Sequence, residues 1–212
     1  MDLVLLCDFD GTITMVDTAE LILSKFAEGE WRTFDRQFEN GELTLEDCLN
    51  KEFSLVRVSK QNIIDELKNI EFRPGFEQLV RYCRENHIPF VIVSAGLDFV
   101  VEHFLKLNRW KQLVATFMGK TEITPNGIKF TFPERYDKTS ANFKQDFVRQ
   151  WKSRGKKVIF IGDGSGDYDA AREADIAFAI KGSKLAELCT KHEIYCRSIT
   201  DFQGVIETLR RT

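Results

Sequence analysis

The sequence predicts an α/β protein built on a parallel sheet, with a helical block inserted after its first strand. Three observations carry this. Short apolar runs recur at 4–7, 88–93, 158–161 and 176–180, none alternating with polar residues, which is the pattern of strands buried on both faces. Segments with helical spacing separate the runs, and strands alternating with helices give a parallel sheet with right-handed crossovers. Three of the runs end in polar or acidic residues: Asp8 and Asp10, then Ser94, then Asp163 with Asp167. Ligands of such sheets sit at the carboxyl ends of the strands, so these side chains are expected to converge on one edge.

The first strand runs into Asp8-Phe9-Asp10-Gly11-Thr12. Residues 15–73 then hold no strand candidate. Helical spacing recurs at 18–26, 31–38, 44–53 and 59–70. Thr44 and Ser59 are placed as N-terminal caps, because a hydroxyl accepts from the orphan N–H groups of a first turn. The block reads as a lid over the carboxyl end of the first strand, giving a core of 1–14 and 74–212 and a cap of 15–73. Arg73-Pro74-Gly75 punctuates the chain, with Pro suited to a first helical turn. A helix at 76–85 leads to the strand 88–93, and a helix at 97–107 follows it. Next come a strand at 114–120 and a hairpin at 121–132 turning at Pro125-Asn126-Gly127. Thr139 or Ser140 is expected to cap a helix reaching Arg154. Gly162-Asp163-Gly164-Ser165-Gly166-Asp167 follows the strand 158–161 and opens a helix near Tyr168. Helices at 183–191 and 202–209, with a short strand near Tyr195 between them, complete the chain after the strand 176–180.

Composition narrows the function classes. The 212 residues, 43% apolar and 30% charged, describe an ordinary globular protein large enough for one such domain with an insertion. Net charge is −3 and the 30 basic residues are scattered, so no nucleic-acid footprint is present. The apolar runs fall far below the ~18 residues of a membrane span, and no basic segment followed by an apolar one marks a signal peptide. The five cysteines lack metal-type spacing and are expected as reduced thiols of a cytoplasmic protein, acting as small core side chains. His87, His103 and His192 show no ligand spacing. Trp31, Phe34 and Phe38 are expected in the lid's own core. Nothing sets the oligomeric state.

The acids at the strand ends suit phosphoryl transfer. That reaction needs a nucleophile, a cation for the phosphate oxygens, donors around the phosphoryl group and an acid for the leaving oxygen. Asp8 is the candidate nucleophile, since a carboxylate can form an aspartyl-phosphate. Asp10, two residues on, is the candidate acid and base. Asp8, Asp163, the Asp10 carbonyl and, through a water, Asp167 can hold Mg²⁺, which prefers hard oxygen ligands. Thr12, Ser94 and the backbone N–H groups of Ala95 and Gly96 are candidate phosphate donors. A lysine should reach the phosphoryl oxygens. Lys144, restrained in the first turn of its helix, is preferred to Lys138 in the loop before it. Arg57 and Arg73 are further cations that could meet an anionic substrate group.

Asp8-Phe9-Asp10-Gly11-Thr12, Ser94 after an apolar strand, a following lysine and Gly162–Asp167 together resemble the four motifs of the haloacid dehalogenase superfamily, in order and over the whole chain. The resemblance implies a Rossmann-like core, Mg²⁺ as cofactor and hydrolysis of a small phosphorylated metabolite through an aspartyl-phosphate. The helical insertion resembles the C1-type cap of the phosphoserine-phosphatase-like branch. Within that branch, Met15-Val16-Asp17 after the first motif, Ile88-Pro89-Phe90 and Ser94-Ala95-Gly96-Leu97-Asp98-Phe99 are most similar to the methionine-salvage phosphatases, which act on 2-hydroxy-3-keto-5-methylthiopentenyl-1-phosphate. Phosphoserine phosphatases and phosphocholine or phosphoethanolamine phosphatases are the alternatives. Asp17 lies where relatives place an acidic substrate contact; capping of the first inserted helix is its other reading. A phospho-acceptor signalling domain is the competing class. Asp10 argues against it, because a stable phospho-acceptor has no use for an acid two residues away.

Overall fold

The computed structural model describes residues 2–211; Met1 and Thr212, the ends of the expected core, lie outside them. In chain order, β1 (Leu3–Cys7) is followed by α1 (Thr18–Phe26), α2 (Arg32–Glu39), α3 (Leu45–Phe53), α4 (Lys60–Glu66) and α5 (Phe76–Glu85). Then come β2 (Phe90–Ser94), α6 (Asp98–Leu107), β3 (Ala115–Met118) and the hairpin β4 (Lys120–Thr124) with β5 (Gly127–Thr131). The chain ends with α7 (Phe143–Ser153), β6 (Lys157–Gly162), α8 (Tyr168–Glu173), β7 (Ile176–Ile180), α9 (Lys184–Lys191), β8 (Cys196–Ile199) and α10 (Gln203–Leu209).

Six strands form one sheet in the order β3-β2-β1-β6-β7-β8, and every neighbouring pair is parallel. The chain builds outward from β1 to β3, then returns to the other side of β1 with β6. Strand order therefore reverses at β1, the position where such sheets open a crevice beyond their carboxyl ends. Both β1 and β2 are buried at every residue, as their unbroken apolar runs require. Cys7 stands level with Ile92 of β2 and Ile161 of β6. The ladder continues one residue further, with the Asp8 N–H donating to the Ile161 carbonyl at 2.8 Å. The three motif-bearing strands thus end side by side.

Between β1 and α5 the structure has four helices and only isolated bridges, Thr14 to Phe72 and Ala27 to Val56. The two crossings of this insertion are tied together. The Met15 N–H donates to the Glu71 carbonyl at 2.9 Å and the Arg73 N–H to the Ile13 carbonyl at 2.8 Å. On its far side α3 meets the hairpin. The Asn50 side chain accepts from the Phe130 N–H at 2.9 Å, and the Phe53 and Phe130 rings meet edge-on at 5.2 Å. No helix among the described residues is long and apolar enough to cross a membrane.

Several local expectations change. The cap of α7 is Asn142, not Thr139 or Ser140: its side chain accepts from the Gln145 N–H at 3.0 Å. Thr139 instead bonds Asp137, and Ser140 lies buried against Asp146. Pro74 stands outside α5, and Gly75, at φ 85°, occupies the capping position. The helix α4 ends at Glu66, earlier than expected. Cys189 and Cys196 form a disulfide with Cα atoms 6.2 Å apart, where five thiols were expected. The tight return through Glu193, at φ 56°, folds β8 back beside the end of α9. Cys7, Cys48 and Cys83 are free and buried.

Arg73, one of two cations that the sequence left open as partners of an anionic substrate group, is a brace. It is 7% exposed, and its guanidinium donates to the carbonyls of Thr12 at 2.8 Å, Gly11 at 2.7 Å and Thr200 at 3.3 Å. Arg57 pairs with Glu28 at the surface. Arg73→Met should lower stability by about 3 kcal/mol, because buried carbonyls lose charged donors. Arg57→Met should change it by less than about 1 kcal/mol. Urea titration reads both as a shift in midpoint at unchanged slope.

Candidate active site

The strand ends bring five charged side chains together. Asp8 is 5% exposed and Asp167 fully buried. Lys144, from the first turn of α7, donates from Nζ to Asp8 Oδ1 and to Asp167 Oδ1, both at 2.7 Å. The other Asp167 oxygen accepts from the N–H groups of Asp163 and Gly164, both at 3.0 Å, which folds the loop after β6 around it. Asp163 Oδ1 accepts from the Thr12 hydroxyl at 2.6 Å. Lys138 is exposed in the loop before α7, so helical restraint places Lys144, not Lys138, beside Asp8.

Asp10 has a separate surrounding. Its carboxylate accepts from the Ser94 hydroxyl at 3.1 Å and from the Thr18 hydroxyl. Ser94 in turn accepts from the Gly96 N–H at 3.0 Å. Two glycines make this packing possible. Gly11 turns the chain at φ 72°, and a Cβ there would collide with the Asp163 carboxylate. A Cβ on Gly96 would collide with the Asp10 carboxylate.

Burial, and next the charge of Asp167, pushes the Asp8 carboxyl well above the usual range. The same two causes push Asp163 up to about 8. Burial also raises Asp10, against the pull of its two hydroxyl partners. For Lys144 burial works against the charge, but Asp167 and Asp8 outweigh it and hold the ammonium above the ordinary lysine range. Four carboxyls thus gather near one lysine, which bonds two of them.

The ligand-capable atoms of Asp8, Asp163 and Asp167 all lie within 4.8 Å of one another. An all-carboxylate set with negative charge in excess is the donor chemistry of a hard divalent cation, so these residues fit a metal of that class.

A cavity of about 230 Å³ opens over the cluster. Asp8, Asp10, Lys144, Asp163, Asp167, Ala95 and Gly96 line its floor, and the inserted helices line the rest. Asp17 caps α1, accepting from the Glu20 N–H at 3.0 Å, and also lies on the cavity wall. Thr12 and Ser94 are fully buried and touch the carboxylates rather than the cavity. Trp31 and Phe38 line the cavity as well as packing on the core, while Phe34 faces the Lys51 ammonium at 5.5 Å.

Three contributors escaped the sequence reading. Thr18 orients Asp10, and no spacing rule selects it. Glu46 of α3 accepts from the Phe143 N–H at 2.9 Å and pairs with Arg135 at 3.0 Å, pinning the start of α7 beside Lys144. Glu52 lies on the cavity wall and is 5% exposed. It did carry a signal: an acid at the fourth place of the inward stripe Leu45, Cys48, Leu49, Glu52, where helical spacing calls for an apolar residue.

Burial, then Asp35, pushes Glu52 up to about 8, from an ordinary 4.5. Between those values the folded chain keeps a proton that the unfolded chain releases, so this group's contribution to stability falls as pH rises through that window. Glu52→Gln cannot ionise. Urea midpoints at pH 5 and pH 8 should therefore differ less in this variant than in the parent.

The sequence profile of the haloacid dehalogenase-like hydrolases matches residues 5–172. The protein named 2-hydroxy-3-keto-5-methylthiopentenyl-1-phosphate phosphatase in Brevibacillus brevis is 32% identical, covering 99% of this chain and 96% of its own. A protein of the same name in Exiguobacterium sibiricum is 28% identical, covering 100% and 98%. Among solved structures, a phospho-aspartyl intermediate analogue of phosphoserine phosphatase superposes with a TM-score of 0.73 at 18% identity, covering 97% of this chain and 98% of that one. A substrate-bound phosphoserine phosphatase gives 0.72 at 18% identity, covering 97% of each chain. These structural likenesses are of fold. With the profile spanning most of the chain and a relative above 30% identity over nearly all of it, this chain belongs to the haloacid dehalogenase-like hydrolase family.

Proposed function

We propose that this chain is a Mg²⁺-dependent phosphomonoester hydrolase that works through an aspartyl-phosphate, with 2-hydroxy-3-keto-5-methylthiopentenyl-1-phosphate as its substrate. The chemistry rests on one observation above all: Asp8, at the cavity floor, shares Lys144 with Asp167, while Asp10 stands apart on two hydroxyl groups. The substrate rests on the names of the relatives that match end to end.

The two acids divide the reaction. An Asp8 oxygen attacks phosphorus, and the bond between phosphorus and the ester oxygen breaks. Asp10, which burial keeps protonated to higher pH, gives its proton to the departing oxygen. Now a carboxylate, it takes a proton from the water that attacks the aspartyl-phosphate and returns Asp8 free. Thr18 and Ser94 aim the Asp10 carboxyl through both steps. Lys144 meets the phosphoryl oxygens from beside Asp8. Asp8, Asp163 and Asp167, with the Asp10 carbonyl, are the groups that would hold Mg²⁺, which supplies charge neutralisation of the phosphate oxygens. Backbone N–H groups following β1 and β2 add donors to the phosphate.

Residues 15–73 act as the lid of this site and residues 1–14 and 74–212 as its core. The bonded crossings at 13–15 and 71–73 are the place where the two parts join. The lid excludes bulk water and selects the ester. The cytoplasm is the compartment proposed for an enzyme that acts on a metabolite of this kind. The Asp10 setting also disfavours a phospho-acceptor role, since an aimed acid and base beside the nucleophile shortens the life of the adduct.

Asp8→Asn should reduce turnover to below about 1% of the parent, the loss expected when a nucleophile is removed. Asp10→Asn should leave a stoichiometric phospho-protein, detectable by intact mass after a brief incubation with substrate. Chelation should abolish turnover and Mg²⁺ restore it. On a panel of phosphorylated metabolites, the salvage ester should give the highest kcat/KM; preference for phosphoserine would remove the substrate while leaving the chemistry in place.

A further inference from the structure

Glu52 is a buried acid on an otherwise apolar stripe of α3. It sits at the C-terminal end of α3, 5% exposed, on the stripe that faces the cavity. Besides burial, the groups that act most on it are Asp35 from α2, the Cys48 thiol one turn back and Asp17 from the start of α1, none of them a cation. A thiol is a weak donor, and burying a carboxyl with so little compensation is unfavourable. An apolar residue would fill this position on α3 without that cost. A buried polar group that the fold does not use points to a ligand that does.

The rest of the wall says what kind of ligand. Leu23, Trp31, Leu45 and Leu49 give it apolar surface. Its acids are Asp17, Glu20, Asp35 and Glu52, and Arg32 is the one lining cation that the inserted helices supply. That guanidinium is 55% exposed, bonded to Glu20 at 3.3 Å and stacked 4.3 Å from the Trp31 ring centroid. A carboxylate on the substrate's non-phosphate end would lose its water and find acids in its place.

We propose that Glu52 is the specificity-determining residue of the lid: it hydrogen-bonds a carbonyl or hydroxyl oxygen on a substrate whose non-phosphate end is uncharged, and with the apolar wall it rejects esters carrying a carboxylate. The inference rests on the phosphatase reading above and narrows its substrate class. Burial keeps the Glu52 carboxyl protonated near neutrality, so it donates to a carbonyl oxygen and accepts from a hydroxyl. An uncharged tail with oxygens near the phosphate and an apolar end meets both kinds of wall.

Steady-state kinetics of the full chain with Mg²⁺ test this on four esters. They are the salvage ester and dihydroxyacetone phosphate, both uncharged beyond the phosphate, with phosphoethanolamine and phosphoserine, which differ from each other by one carboxylate. The parent should favour the two uncharged esters over phosphoserine by at least about tenfold in kcat/KM, the loss of one good hydrogen bond or its replacement by repulsion. Glu52→Leu should lower kcat/KM for the uncharged esters about 10- to 100-fold, mainly through KM. Glu52→Gln, which keeps a donor and an acceptor, should stay within about threefold of the parent, and Glu52→Arg should raise the ratio of phosphoserine to dihydroxyacetone phosphate at least about tenfold. The near- and far-UV circular dichroism spectra of Glu52→Gln and Glu52→Leu should match those of the parent, which shows an intact fold.

An unchanged ester ratio in Glu52→Leu and Glu52→Arg would overturn the inference, as would parent activity on phosphoserine equal to that on the uncharged esters. Preference for phosphoethanolamine that disappears in Glu52→Gln would also overturn it, because Glu52 would then act by charge. Failure of the salvage ester alone, with the dihydroxyacetone phosphate ratio behaving as stated, would remove the proposed substrate and support the role of Glu52.

Discussion

The structure depends on neutralising acids that a parallel sheet gathers at one buried edge. The ends of β1 and β6 stand level, so Asp8 and the loop carrying Asp163 and Asp167 must meet. An isolated buried carboxylate is too costly to persist, and one ammonium, that of Lys144, lies between Asp8 and Asp167. Much of the surrounding architecture serves that contact. Asn142 caps α7 and also donates to the Gly166 carbonyl at 3.2 Å, so the start of the lysine's helix is tied to the loop of its partner acid. Arg73 holds the carbonyls beyond Asp10 from below. Glycine at 11 and 96 lets backbone approach the carboxylates where any Cβ would collide.

The inserted helices are not independent of this centre. Through Glu46, α3 reaches the first N–H of α7, and through Asn50 it reaches β5. The same helix presents Leu45, Cys48, Leu49 and Glu52 to the cavity. One element therefore helps to place the lysine beside Asp8 and supplies part of the cavity wall. A change on the inner face of α3 can reach the lysine through less than two turns of helix, so the wall and the Lys144–Asp8 contact are mechanically adjacent.

The sheet and the acids were legible in the sequence because they obey strong local rules. Continuous apolar runs marked β1, β2, β6 and β7. The side chains of Thr44 and Ser59 cap α3 and α4 as their hydroxyls suggested. The acids stood out because carboxyls at the ends of buried strands are costly to bury without a partner. What escaped was decided by distance in space rather than along the chain. Asn142 outcompeted Thr139 and Ser140 because Asp137 and Asp146 had already engaged those hydroxyls. Arg73 looked like a free cation, and only the folded hinge shows three carbonyls around it. Thr18 finds Asp10 across a turn that no periodicity describes. The Cys189–Cys196 bridge required knowing that β8 returns beside the end of α9.

Glu52 differs from these cases because its oddity was visible locally and its meaning was not. An acid on an apolar stripe signals either a pairing across the core or a ligand, and sequence alone cannot separate the two. The fold bears on the choice: the position lies on the cavity wall, and the groups that act most on it are Asp35, the Cys48 thiol and Asp17. The likeness of fold to phosphoserine phosphatases, at 18% identity, carries the strand order and says nothing of the wall. In the proposed reaction the groups that attack, protonate and neutralise the phosphate are indifferent to what it is attached to, which leaves selectivity to the cavity wall that the inserted helices form. A wall with four acids and one solvent-facing arginine is a poor host for an ester with a second anion. It is a better host for an uncharged chain that can share a proton with a buried carboxyl.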